Sequence, residues 1–179
     1  MQNIDWNNVQ EATSGGKLPA GGYVCGITAV EDVPNMEYLK FEFDIAEGEY
    51  KNTYRELYDA RGFWAGKFIK SYKESARGYF KKMLTAFEKS NKGFTFNNDE
   101  KTLKRKYIGL VIGYEEYVGN DGTTKERLRV ADFLPVEDIR SGNFTIPELK
   151  KLSSNSTGTQ NSTNGFTDVG AVEDDDLPF

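Results

Sequence analysis

The segment Tyr38-Leu39-Lys40-Phe41-Glu42-Phe43-Asp44-Ile45 alternates in polarity from end to end. Successive side chains of a β-strand point to opposite faces. Leu39, Phe41, Phe43 and Ile45 therefore face a core, while Tyr38, Lys40, Glu42 and Asp44 face away. Upstream, Gly22–Val30 (GYVCGITAV) is rich in β-formers, and Pro34-Asn35 marks a turn between the two strands. Downstream, a break at Gly48 leads to Tyr50–Tyr58, read as a third strand. The period then changes. Phe80, Met83, Leu84 and Phe87 stand at i, i+3, i+4 and i+7, one face of a helix. Gly78 separates this helix from a shorter one containing Phe63, Trp64, Phe68, Ile69 and Tyr72. Tyr107–Tyr117 and Lys125–Phe133 follow as strands joined across Asn120-Asp121-Gly122, a hairpin signal. Phe41, Phe43, Phe80 and Phe87 are assigned to the core.

Three strands, a helical insertion and a two-stranded hairpin are the element order of an OB-fold, a five-stranded Greek-key barrel. The expected class is mainly β with a helical insertion; periodicity alone also accommodates another small α+β barrel. Residues 1–151 are expected to form the barrel domain. From Leu152 the composition changes, and residues 153–165 are all Ser, Thr, Asn, Gln or Gly. Such a run buries nothing that offsets the entropy of ordering. Residues 152–172 are thus expected to be a flexible Ser/Thr/Asn linker within a disordered C-terminal tail, with a reach of roughly 25 Å. It ends in an acidic tip at 173–179.

The net charge of −5 conceals a segregation. Residues 1–50 carry 2 basic and 9 acidic side chains, residues 51–106 carry 15 and 6, and residues 107–151 carry 6 and 8. The last five acids, Asp168, Glu173, Asp174, Asp175 and Asp176, account for the whole net charge. A basic block inside a neutral domain is the footprint of a polyanion partner, or else a helix surface of solvated lysines. No histidine is present, which removes Ser-His-Asp and Cys-His nucleophiles and His-containing metal sites. No GxxxxGK[ST] loop occurs. Glu42, Asp44, Glu115 and Glu116 are candidate Mg²⁺ ligands only in principle, because acids on strands are by default solvated. The expectation is a non-enzyme with no cofactor and no metal. The lone cysteine, Cys25, excludes an internal disulfide and suits a reducing cytosol as a buried small hydrophobe. No membrane span or export signal is recognisable, so a cytoplasmic location is expected.

The final residues, Asp174-Asp175-Asp176-Leu177-Pro178-Phe179, closely resemble the acidic tip of bacterial single-stranded DNA-binding proteins. The folded part is similar to phage-encoded replication proteins at Leu18-Pro19-Ala20-Gly21-Gly22-Tyr23 and Glu47-Gly48-Glu49-Tyr50-Lys51-Asn52. The resemblance implies binding of single-stranded DNA in replication, recombination or repair in a bacterial host cell. It also implies recruitment of a helicase, polymerase, primase, nuclease or recombination mediator through the tip, and possible homo-oligomers. The physical logic of the tip stands beside the resemblance. Phe179 offers a ring and the α-carboxylate together, Pro178 restricts the chain, and the aspartates steer toward basic surfaces. The alternative is an adaptor that captures host proteins through the tip without binding DNA.

Single strands are held by a basic groove and by exposed rings that stack on bases. In OB-folds the second and third strands and their loops form the binding face, which brings the basic block beside Tyr38 and Lys40. Rings beside cations give the candidates Tyr38 with Lys40, Tyr54 with Arg55, Trp64 with Lys67, and Tyr107 with Lys104, Arg105 and Lys106. Arg127 and Arg129 share a strand face and add backbone contacts.

Overall fold

The second strand, β2, spans Tyr38–Ile45, the expected bounds, and its inward residues Leu39, Phe41, Phe43 and Ile45 are at most 4% exposed. The computed structural model describes residues 17–152; the expected linker from 153 onward and the acidic tip lie outside the described residues. Preceding β2 is β1 (Gly21–Val33), linked to it by a 3-10 turn at Pro34–Met36. The remaining elements are α1 (Thr53–Arg61), β3 (Lys67–Ser71), α2 (Arg77–Ser90), β4 (Tyr107–Val118), β5 (Thr124–Leu134) and α3 (Val136–Arg140).

The five strands form one antiparallel sheet in the order β3-β2-β1-β4-β5. Three sequential strands with the fourth returning beside the first make a Greek key. The long β1 serves both halves, pairing with β4 through Gly21–Gly26 and with β2 through Cys25–Val33. A register shift between Ile27 and Ala29 lets it bend from one half to the other. Among the described residues no ladder joins the sheet's two ends. Instead the Phe68 and Phe133 rings meet 5.5 Å apart across the gap, and Lys70 Nζ lies 5.1 Å over the Phe133 ring. The sheet is thus a partly open five-stranded barrel sealed by side chains, compatible with the OB-fold.

The barrel interior holds Cys25, Ile27, Phe41, Phe43, Ile108, Leu110 and Ile112, capped by Met83 and Phe87 of α2. The Phe41 ring stacks on Phe68 at 4.7 Å. Phe80 is only half-buried, against the Tyr72 ring. Gly78 is not a break: it lies in the first turn of α2. Burial also pushes the Cys25 thiol well above its ordinary range, and the residue is a packed hydrophobe.

Residues 50–72 correct the expectation most. The segment read as a third strand, Tyr50–Tyr58, begins α1, and the segment read as a short helix contains β3. The deciding group is Asp44 on β2. Its carboxylate accepts hydrogen bonds from the Tyr54 and Arg55 N–H groups at 3.0 and 3.1 Å, satisfying donors of the first helical turn. Gly62, at φ 77°, then ends α1 by donating to Tyr58 O. That placement buries Tyr54 edge-on against Phe43 and leaves Lys67–Ser71 to pair with β2.

Candidate nucleic-acid interface

The last turn of α2 begins the site. Asn91 donates from Nδ2 to Phe87 O and Tyr107 O, both at 2.8 Å, and accepts from Tyr107 N–H at 3.0 Å. One side chain thereby fastens the start of β4 to the end of α2. The loop between them is anchored at several points. Phe96 N–H donates to Glu88 Oε1, Lys101 N–H to Asp99 Oδ1, and Leu103 is fully buried. Arg105 takes a left-handed φ of 65° and donates its N–H to Ile27 O at 2.8 Å, while Ile27 N–H donates to Lys106 O at 3.0 Å. A non-glycine residue in that region is held there by its surroundings.

This loop encloses an open cleft of about 540 Å³ lined by Lys92, Phe94, Thr95, Lys101, Thr102, Lys104, Arg105 and Lys106. Among the described residues, none of the five cations has a carboxylate within 4.0 Å. Lys106 Nζ sits 4.8 Å over the Phe94 ring. Tyr107, 50% exposed, follows Lys106 at the start of β4 and stands against the bare backbone of Gly26, its ring 3.6 Å from where a Cβ would be. Five unpaired cations on one concave surface repel one another, and a polyanion relieves that repulsion. The open form suits a chain rather than an enclosed small molecule.

Of the sequence candidates, Lys104, Arg105, Lys106 and Tyr107 are brought together here. Lys92, Phe94 and Lys101 join them and were missed; their signal was the basic spacing around Phe94, but the loop's closure by Asn91 was not readable. Tyr38 and Tyr54 are corrected. Tyr38 is 6% exposed, because Ser71 Oγ and Tyr72 N–H both donate to Glu37 O and fold the chain over the start of β2. Tyr54 is 5% exposed in the core, its hydroxyl buried without a partner. Neither offers a face to a base.

The other candidates lie elsewhere and are paired. Lys40 faces Glu31 at 4.0 Å and Lys67 faces Glu42 at 3.4 Å, so the outer face of β2 and β3 is charge-compensated. Arg55 pairs with Asp59 along α1. Arg127 donates to Glu115 at 2.8 Å, and Arg129 and Lys150 converge on the same carboxylate. Trp64 is half-buried, its ring N–H shared between Phe43 O and Gly66 O. Glu116 accepts from Leu152 N–H. Among the described residues no group of three or more His, Cys, Asp or Glu side chains is placed to hold a metal ion. No helix of the described residues is long and apolar enough to cross a membrane. Asp174–Phe179 lie outside the described residues. No family model matches the chain, and no curated protein matches it.

Proposed function

We propose that this protein binds single-stranded DNA in the cleft between α2 and β4 and recruits replication or repair proteins through Asp174–Phe179, in the cytoplasm of a bacterial host. The observation that carries the first half is the set of five cations without carboxylate partners beside Phe94 and Tyr107. The cations track phosphates without reading sequence, and the rings offer π-faces to any base. Duplex DNA keeps its bases stacked inside and leaves those rings unused. The second half rests on the likeness of the tip to that of bacterial single-stranded DNA-binding proteins, and on the chemistry of a terminal Phe after three aspartates.

Fluorescence anisotropy with a labelled oligo-dT and with a duplex of equal length tests the reading. Tight binding to oligo-dT and much weaker binding to duplex is expected. Preference for duplex, or no binding to either, overturns it; the latter result together with partner capture by the tip selects the adaptor alternative.

A further inference from the structure

Three rings gather where α1 ends. Gly62 turns the chain so that Trp64 comes up beside Tyr58, with Phe63 between Gly62 and Trp64 in the sequence. Tyr58 and Phe63 are 46% and 44% exposed. The Trp64 indole is pinned by its two carbonyl acceptors, each at 3.2 Å, and the Tyr58 ring lies 6.0 Å from it at 52°. Rings held this way lose little freedom when a base stacks on them. Arg61 stands beside the patch in the last turn of α1, exposed and, among the described residues, without a carboxylate within 4.0 Å.

Tyr107 and the start of α1 meet the same face of the sheet. Directly opposed residues on neighbouring strands point to the same face. Tyr107 opposes Gly26, and Gly26 opposes Asp44, whose carboxylate carries the start of α1 on that face. Next to Asp44, Phe43 N–H donates to Gly66 O at the entry to β3. The path from Tyr107 to the patch therefore crosses three inter-strand spacings, roughly 14 Å. At Gly26 its floor is covered by the Tyr107 ring itself. The Asp44 charge is engaged by three backbone N–H groups, those of Ile45, Tyr54 and Arg55.

We infer that Tyr58, Phe63 and Trp64 form a second base-stacking site, reached by the same single strand after it crosses the sheet from Tyr107. This rests on the DNA-binding reading above and sets which length of strand the domain needs. The footprint then has two ends, and an oligonucleotide too short to bridge them uses only the cleft.

The test compares wild type with the double variant Tyr58→Ala/Phe63→Ala on oligo-dT of about 4 and about 16 nucleotides, the range covered by one such domain. Both substituted rings are exposed, and circular dichroism checks the fold. The inference expects affinity for the long strand to fall about tenfold or more in the variant, with the short strand unaffected. In a Trp6→Phe background, Trp64 emission should be quenched by the long strand only. Equal affinity of variant and wild type on the long strand overturns the inference and leaves the cleft reading intact, as does equal weakening on both lengths. Wild-type protein binding neither length overturns both.

Discussion

Removing three of the cleft's cations gives a quantitative test, because each phosphate neutralised on a single strand adds about −0.7 to the slope of log affinity against log salt. With Lys92, Lys101, Lys104, Arg105 and Lys106 all engaged, the slope from the cleft is about −3.5, so raising salt fourfold weakens binding roughly 100-fold. The variant Lys101→Gln/Lys104→Gln/Arg105→Gly retains two of the five. Its slope should shrink to about −1.4, and the same fourfold rise in salt should then cost only about 7-fold. All three side chains are exposed, and glycine at 105 accepts the φ of 65° more readily than arginine, so the fold should hold. Anisotropy titrations of labelled oligo-dT across a salt series measure both slopes, with urea unfolding as the control. A correctly folded variant that keeps the wild-type slope refutes the assignment of phosphates to this cleft.

Other outcomes follow from the same structure. Tyr54→Phe removes a buried hydroxyl that has no partner and should stabilise the domain by about 1 kcal/mol, whereas Tyr54→Ala should cost about 3–5 kcal/mol, both read by urea unfolding. Burial pushes the Tyr23 phenol up to about 12 and raises those of Tyr54 and Tyr114. A phenol whose pKa is raised by folding contributes stability that is complete below the unfolded value near ~10 and lost as pH climbs through the folded one. Desolvation and a hydrogen bond to Asp32 raise Tyr72 as well. Tyrosinate absorbance should therefore show these four among the ten tyrosines ionising late, until the alkaline protein unfolds; all ten ionising together in a folded protein contradicts this. Deleting Phe179 alone should abolish capture of replication or repair proteins from a bacterial lysate while every aspartate remains, and deleting Asp174–Phe179 should hold or modestly raise DNA affinity at low salt. Unchanged partners after loss of Phe179 would reduce the tip to a charge tail.

The alternation of Tyr38–Ile45 and the 3.6-residue period of Phe80–Phe87 were legible because each element's own pattern coincides with its burial. Residues 50–72 were not, since the group that starts α1 is a carboxylate on β2, nine residues before Thr53 and on another element. With Tyr50–Tyr58 mistaken for a strand, the strand Lys67–Ser71 could not be seen as the partner of β2. The site divides the same way. Lys104–Tyr107 are consecutive and could be read directly, while Lys92 and Phe94 reach them only through a loop closed by Asn91. Adjacency to a cation selected Tyr38 and Tyr54, yet neighbours in sequence say nothing about which way a ring turns.

Photocrosslinking is the most direct measurement of where the strand lies. An oligo-dT carrying 5-iododeoxyuridine, irradiated in complex with the full-length protein, couples bases to the aromatic rings they stack upon, and peptide mass spectrometry locates the adducts. Binding in the α2–β4 cleft predicts adducts at Tyr107 and Phe94 that disappear when an equal-length duplex replaces the single strand. Adducts confined to the β4–β5 hairpin around Arg127 and Arg129, with Tyr107 and Phe94 unmodified at saturation, would contradict it.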